Sequence, residues 1–167
     1  KVNAEPINLN YLLSEELSCF SNVCEKRGIS LCLNVPDEQV VVSADRHLLE
    51  LMLDNLMSNA CKYTNRGGKV EVSLTAGKSK AEIKIADTGI GIPEKEQKNI
   101  FTNVYRAENA RASQETGNGF GLLQVKRIVE LLNGSIRFTS KELVGTTFKI
   151  SFKRIYEEPV IHWNPNN

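Results

Sequence analysis

The chain has 167 residues, 41% of them hydrophobic, enough for one domain to bury a core of its own. Its 21 basic and 20 acidic residues leave a formal charge of +1, which excludes the broad basic face of a nucleic-acid binder, so no direct nucleic-acid contact is expected. No apolar run approaches the roughly 20 residues of a membrane span, and no signal-peptide pattern stands at the amino terminus.

Residues 1–9 read as an approach segment ending in a short strand, Ile7-Asn8-Leu9. Leu12, Leu13, Leu17, Phe20 and Val23 recur at helical spacing and predict a helix from about Asn10 to Lys26, stopped by Gly28. Ile29, Leu31 and Leu33 alternate as a strand, and Val40 to Ser43 makes a second after the turn at Pro36-Asp37. Asp45 is a candidate N-cap for a helix with Leu49, Met52, Leu53, Leu56, Met57 and Ala60 inward. Past the turn Asn65-Arg66-Gly67-Gly68, Val70 to Ala76 and Ala81 to Ala86 form a hairpin around Gly77-Lys78-Ser79-Lys80. Pro93 can open a short helix ending near Ile100. Residues 101–118 show no sustained period and read as a functional loop or lid. Phe120 to Leu132 is helical, with Leu122, Val125, Ile128, Val129 and Leu132 inward, and Asn133-Gly134 stops it. Ile136 to Thr139 and Thr146 to Phe152 form the last strand pair, and a Pro-, Asn- and Glu-rich tail holding Tyr156 and Trp163 follows from Lys153. The expected class is α/β (α+β): a two-layer sandwich, with helices on one face of a mixed sheet and the other face open or partly polar.

Four cysteines, Cys19, Cys24, Cys32 and Cys61, make no Cys-x-x-Cys pair, and the only histidines are His47 and His162. Reduced packing thiols fit better than a zinc site. His47 falls in the first turn of its helix, where a solvated or capping role suits it better than catalysis. Gly77-Lys78-Ser79 resembles the end of a phosphate loop, but Val72 stands where its first glycine belongs and a strand follows it, so that reading is discarded.

Four blocks carry chemistry. Asn55, Asn59 and Lys62 lie within about 60° of one another on a helix turning about 100° per residue, at the rim of the apolar stripe. An asparagine carbonyl is a neutral hard ligand suited to Mg²⁺, and a lysine meets phosphate as a point charge. Tyr63 next to them either stacks on a base or is an ordinary half-buried tyrosine. In Asp87-Thr88-Gly89-Ile90-Gly91-Ile92-Pro93 the carboxylate either starts a turn or accepts a hydrogen bond from the exocyclic amine of adenine. Gly117-Asn118-Gly119-Phe120-Gly121-Leu122 opens a helix whose amides and dipole would face a phosphate. Gly145-Thr146-Thr147-Phe148 is the fourth block.

In this order and spacing, the blocks resemble the catalytic ATP-binding domain of sensor histidine kinases. That superfamily is shared with type II topoisomerases, heat-shock chaperones of the ninety-kilodalton class and mismatch-repair ATPases. The asparagine strip is similar to the family's N box, and Asp87 to Gly91 and Gly117 to Leu122 to its glycine boxes. Phe101 with Val104-Tyr105-Arg106 resembles its phenylalanine box, and Gly145 to Phe148 its final Gly-Thr block. The resemblance spans about residues 5–152. It departs at Thr102-Asn103-Val104, where acidic and aromatic residues are common, and at Asn118, where Thr or Ser is frequent.

The resemblance implies a Bergerat-type fold binding ATP and Mg²⁺ beneath a mobile lid. It implies that Asn59 coordinates Mg²⁺, with Asn55 near the metal and phosphates. Lys62 would contact phosphate, Tyr63 would line the adenine side, and Asp87 would bind the adenine amine, with Thr147 reaching the base through water. Arg106 would position phosphates or the lid. Gly89, Gly91, Gly117, Gly119, Gly121 and Leu122 would lie along the nucleotide. Hydrolysing relatives carry a Glu base where Asn55 stands, and an amide cannot act as a base, which favours a kinase. The alternatives are an ATPase module of the topoisomerase or chaperone type and a non-catalytic nucleotide-binding scaffold.

By the same resemblance, the γ-phosphoryl group passes to a His on a separate dimerisation hairpin of the same protein, for relay to a response-regulator receiver domain. Neither His47 nor His162 sits in such a hairpin, so the chain is expected to bind ATP without phosphorylating itself. It would be a monomeric, cytoplasmic piece of a homodimeric kinase, which could be an inner-membrane sensor. Residues 1–9 would be linker and first strand, 5–152 the catalytic domain, and 153–167 a tail or linker.

Overall fold

Asn8 sets the start of the first helix. Its backbone is extended, and its side-chain oxygen accepts the Tyr11 N–H at 3.1 Å. The computed structural model describes residues 1–102 and 121–156. Strand β1 covers Glu5–Asn8 and helix α1 Leu9–Lys26, so the helix begins one residue before the expected start at about Asn10. Asn10, in the first turn, has its amide engaged outside the helix. It donates to the Pro36 and Glu38 carbonyls at 3.0 and 2.9 Å and accepts from the Val40 N–H at 2.9 Å, fastening the following loop. Leu9, Leu12, Leu13 and Leu17 are buried, whereas Val23 faces solvent and Cys24 takes the inward place.

Strands β2 (Ser30–Asn34) and β3 (Val41–Ala44) lead into helix α2, Arg46–Tyr63. Asp45 caps it, accepting the Leu48 N–H at 3.3 Å. The expected stripe from Leu49 to Ala60 is buried, and Cys61 joins it. The hairpin of β4 (Lys69–Ala76) and β5 (Lys80–Asp87) follows, then a 3₁₀ turn over Glu94–Asn99. Helix α3, Gly121–Leu131, precedes strands β6 (Ser135–Lys141) and β7 (Gly145–Ile155).

The strands form one open mixed sheet in the order β1-β3-β7-β5-β4-β2, with β6 also paired to β7. Among the described strands, only β2 and β4 run parallel. Strand β7 pairs with β5 along one edge and is shared along the other, first by β6 and then by β3 at Arg154 and Ile155. It therefore extends three residues past the expected boundary at Phe152. The Pro-, Asn- and Glu-rich composition from Lys153 suggested a tail, but Arg154 is buried. Its guanidinium donates to the Gly77 carbonyl at 3.1 Å, to Glu38 at 2.9 Å and to the Gln39 carbonyl at 3.3 Å.

Alternation along β4, β5 and β7 sends Val70, Val72, Leu74, Ile83, Ile85, Phe148, Ile150 and Phe152 into one core with the buried faces of the three described α-helices. The opposite sheet face is polar: Arg137 pairs there with Glu82 at 2.8 Å, beside Ser151. The two-layer expectation agrees with this arrangement.

Candidate nucleotide site

Helix α2 carries one half of the site. Asn55 is half-buried and fully oriented. Its Nδ2 donates to the Leu51 carbonyl and to Gln124 Oε1 on α3, both at 3.0 Å. That turns Oδ1 toward Gly121, where an added Cβ would lie 3.2 Å from Asn55 Oδ1 and 3.9 Å from Asn59 Nδ2. Both asparagines thus converge on the first residue of α3, where the helix's leading N–H groups have no intrahelical acceptor. Among the described residues, the Asn59 amide and the Lys62 ammonium have no hydrogen-bond or ion-pair partner. A half-buried amide of this kind can give a cation a neutral oxygen.

The carboxyl end of α2 reaches the other half. The Tyr63 carbonyl accepts the Ile90 N–H at 3.0 Å, and an added Cβ on Gly89 would come within 2.5 Å of that carbonyl oxygen. Asp87 stands at the end of β5, with Oδ1 accepting the Gly89 N–H at 2.8 Å and the Thr146 N–H at 3.3 Å. Burial pushes its carboxyl up from the usual carboxylate range, against the pull of those two N–H groups. Oδ2 takes no bond among the described residues. A desolvated carboxylate with one bare oxygen calls for a donor such as an exocyclic amine. Cys61, between the asparagines and Tyr63, has its thiol pushed up to about 12. Burial is the main cause, then its contact with the Cys24 thiol, and the charge of Asp87 adds to it. Helix α2 thus spans the distance from the asparagine pair to the carboxylate.

The register separates the two threonines of the fourth block. Thr147 pairs with Ala86 and follows the polar side of the sheet, away from Asp87. Thr146 pairs with Asp87, is buried on the helix side, and shares a hydrogen bond of 2.7 Å with Ser140. Period-two alternation decides between the adjacent threonines, and the sequence alone could have shown it once Phe148 was placed inward. Ser140 and Gln97 were missed altogether. Ser140 Oγ accepts the Ile92 N–H at 2.9 Å, and Gln97 Nε2 donates to the Ile92 and Ser140 carbonyls, each at 3.0 Å. These side chains brace the loop after Asp87, and only a contact map could have nominated them.

Gly91 and Gly145 are required by the protein itself. Gly91 has φ +67°, and an added Cβ would lie 2.1 Å from the Lys141 carbonyl oxygen. Gly145 has φ +147°, with the Asp87 carbonyl oxygen 2.0 Å away. Both let the β6–β7 hairpin close on the Asp87 loop. Leu122 packs its side chain against the core, so a ligand could use only its backbone N–H. Phe101 lies edge-on to Phe138 and Phe148, with ring centroids 5.8 and 6.4 Å away, and Lys126 Nζ is 5.8 Å from the centre of its ring. It anchors the chain rather than facing the site. Val104, Tyr105, Arg106, Gly117, Gly119 and Phe120 lie outside the described residues.

A family model for histidine kinase-, DNA gyrase B- and HSP90-like ATPases matches residues 44–155, from the end of β3 to the end of β7. The chain belongs to this family. The chain is similar to the sensor-like histidine kinase SenX3 of Mycolicibacterium smegmatis, 32% identical over 95% of this chain and 41% of that protein. The mycobacterial sensor histidine kinase MprB superposes with a TM-score of 0.77 at 28% identity, covering 90% of this chain and 98% of that one. The histidine kinase ThkA in complex with the response regulator TrrA superposes with a TM-score of 0.75 at 25% identity, over 92% of this chain and 42% of that one. The chain spans 48% and 41% of the first curated relatives it matches. Within the family it is an ATP-binding catalytic domain of the sensor histidine kinase type. No helix among the described residues is long and apolar enough to cross a membrane.

Proposed function

We propose that this domain holds ATP with Mg²⁺ and, within a longer protein, donates the γ-phosphoryl group to a histidine on a separate dimerisation hairpin, for relay to a receiver domain. The convergence of Asn55 and Asn59 on Gly121, on the helix whose far end touches the Asp87 loop, carries this reading. The donor set fits the cation, since Asn59 offers a neutral oxygen, unpartnered among the described residues, to an ion that prefers a few protein oxygens beside phosphate and water. Bound Mg·ATP supplies the phosphoryl group and the charge neutralisation its transfer needs.

The chain's own residues bind and orient. Asp87 Oδ2 accepts the adenine amine, and Thr146 lies beside it at the same register position. Tyr63 lines the base side, and Lys62 meets phosphate as a mobile point charge. The amides at the start of α3 face the phosphates. Asn55 takes no proton, which favours phosphoryl transfer to a protein acceptor over activation of water. A role in which Arg106, Gly117 and Gly119 complete the phosphate contacts follows from the family resemblance. The ThkA–TrrA complex supports a receiver domain as the downstream partner, and the use of ATP supports a cytoplasmic site of action.

Calorimetric titration with ATP, ADP and GTP, in Mg²⁺ and in EDTA, tests the reading. Adenine nucleotides should bind and GTP should not, and Asn59→Ala should abolish the Mg²⁺-dependent gain. Equal affinity for ATP and GTP would reject the Asp87 assignment. An unchanged Mg²⁺ effect in Asn59→Ala would reject the metal assignment.

A further inference from the structure

The Asn55 amide is held from two helices. One acceptor, the Leu51 carbonyl, is on its own helix, and the other, Gln124 Oε1, comes from the first turn of α3, both at 3.0 Å. An asparagine amide can turn about its terminal bond and exchange the places of oxygen and nitrogen. With Leu51 alone, a modest side-chain rotation would release that choice. With a second acceptor 69 residues away in sequence, Nδ2 is held between two oxygens and Oδ1 must face Gly121, 3.2 Å from the place of an added Cβ.

We infer that Gln124 is a positioning residue for the metal–phosphate seat: it fixes the orientation of the Asn55 amide and so presents Asn55 Oδ1 to whatever occupies the space before Gly121. This rests on the ATP reading and goes beyond it by adding a residue outside all four sequence blocks. Gln124 is exposed and is not part of the core, so core packing does not account for its place. It also ties the start of α3 to α2, keeping the phosphate-facing amides and the asparagine pair in one frame. Preorganised dipoles of this kind avoid reorganisation when charge arrives.

The test compares Gln124→Met, which keeps length and loses the acceptor, with Gln124→Glu, which keeps an acceptor oxygen. In the nucleotide-free domain, the ¹⁵N–¹H signals of the Asn55 Nδ2H₂ pair should move in Gln124→Met and stay near their wild-type positions in Gln124→Glu. Affinity for ATP in Mg²⁺ should fall roughly two- to tenfold in Gln124→Met, the loss expected for one solvent-accessible hydrogen bond, while affinity in EDTA changes by less than about twofold. The melting temperature should hold to within about 2 °C, as for a surface substitution. An unmoved Asn55 signal overturns the inference, and so does an Mg²⁺-dependent affinity equal to that of the wild type. A wild-type domain that takes up no Mg·ATP overturns the ATP reading instead. The two failures are distinguishable because the amide signal is read without nucleotide.

Discussion

Asp87 carries opposing demands. Folding removes its carboxylate from water, and its two N–H donors offset only part of that cost. An acid whose folded pKa is raised holds its proton more readily folded than unfolded. Its contribution to stability is therefore greatest at low pH and is lost as pH rises from the unfolded value, about 3.9, through the higher folded one. Asp87→Asn keeps Oδ1 for Gly89 and Thr146 and removes the charge. It should raise the melting temperature at pH 7, with the gain shrinking toward pH 4, while adenine-nucleotide affinity falls about ten- to a hundredfold, as for loss of a charged hydrogen bond. Thermal melts at both pH values and ATP titrations check both effects. The threonine pair gives a second contrast. Thr146→Val should weaken ATP binding and lower stability, since it breaks the bond to Ser140, whereas Thr147→Val should leave ATP affinity unchanged. Parallel titrations and melts of the two variants decide it. The polar positions were legible in the sequence because each broke an apolar pattern or sat beside a glycine. Ser140, Gln97 and Gln124 were not, because their value lies in partners far along the chain.

At the scale of elements, periodicity read the helices well and their ends less well. The stripe from Leu49 to Ala60 needed only 3.6-residue spacing, and Asp45 was legible as a cap from its chemistry alone. The start of α1 was legible to within one residue, but its cap, Asn8, was not, because it lay inside the segment read as a strand. The α1–α2 contact also fixes thiol chemistry. Cys24 and Cys61 are buried against each other, with sulfurs 3.0 Å apart, whereas Cys19 and Cys32 are exposed. With its thiol pushed up to about 12, Cys61 holds almost no thiolate at neutral pH, and the thiolate is the reactive form. Alkylation of the native domain at pH 7.5, read by mass spectrometry, should mark Cys19 and Cys32 and spare the buried pair. Unfolding in denaturant should open all four. Rapid native labelling of Cys61 would contradict the packing of α1 on α2.

For the molecule as a whole, Arg154 joins the end of β7 to the β4–β5 turn and to the loop before β3, and stacks at 4.6 Å over the Tyr156 ring. Its hydrogen bond holds the Glu38 carboxyl below the usual range. A depressed acid adds stability above its unfolded value, about 4.3, and that contribution is lost as pH falls through the folded value. Glu38→Gln should therefore lower the melting temperature at pH 7 and converge with the wild type near pH 3. Curves that stay parallel over that range would remove the clamp from the account. The two-layer class was legible from alternation and hairpin spacing. The sheet order was not, because pairing β7 between β5 and two other strands depends on contacts no local pattern records.

That placement of β7 has a consequence for synthesis. Residues 145–155 are added after the other described strands, yet they occupy the middle of the sheet and are bonded along both edges. A nascent chain that has released β1 through β6 from the ribosome still has strands β3, β5 and β6 with edges whose N–H and C=O groups lack the β7 partner. Chaperone capture, or aggregation where capture fails, should therefore peak just before Ile155 emerges and end soon after it.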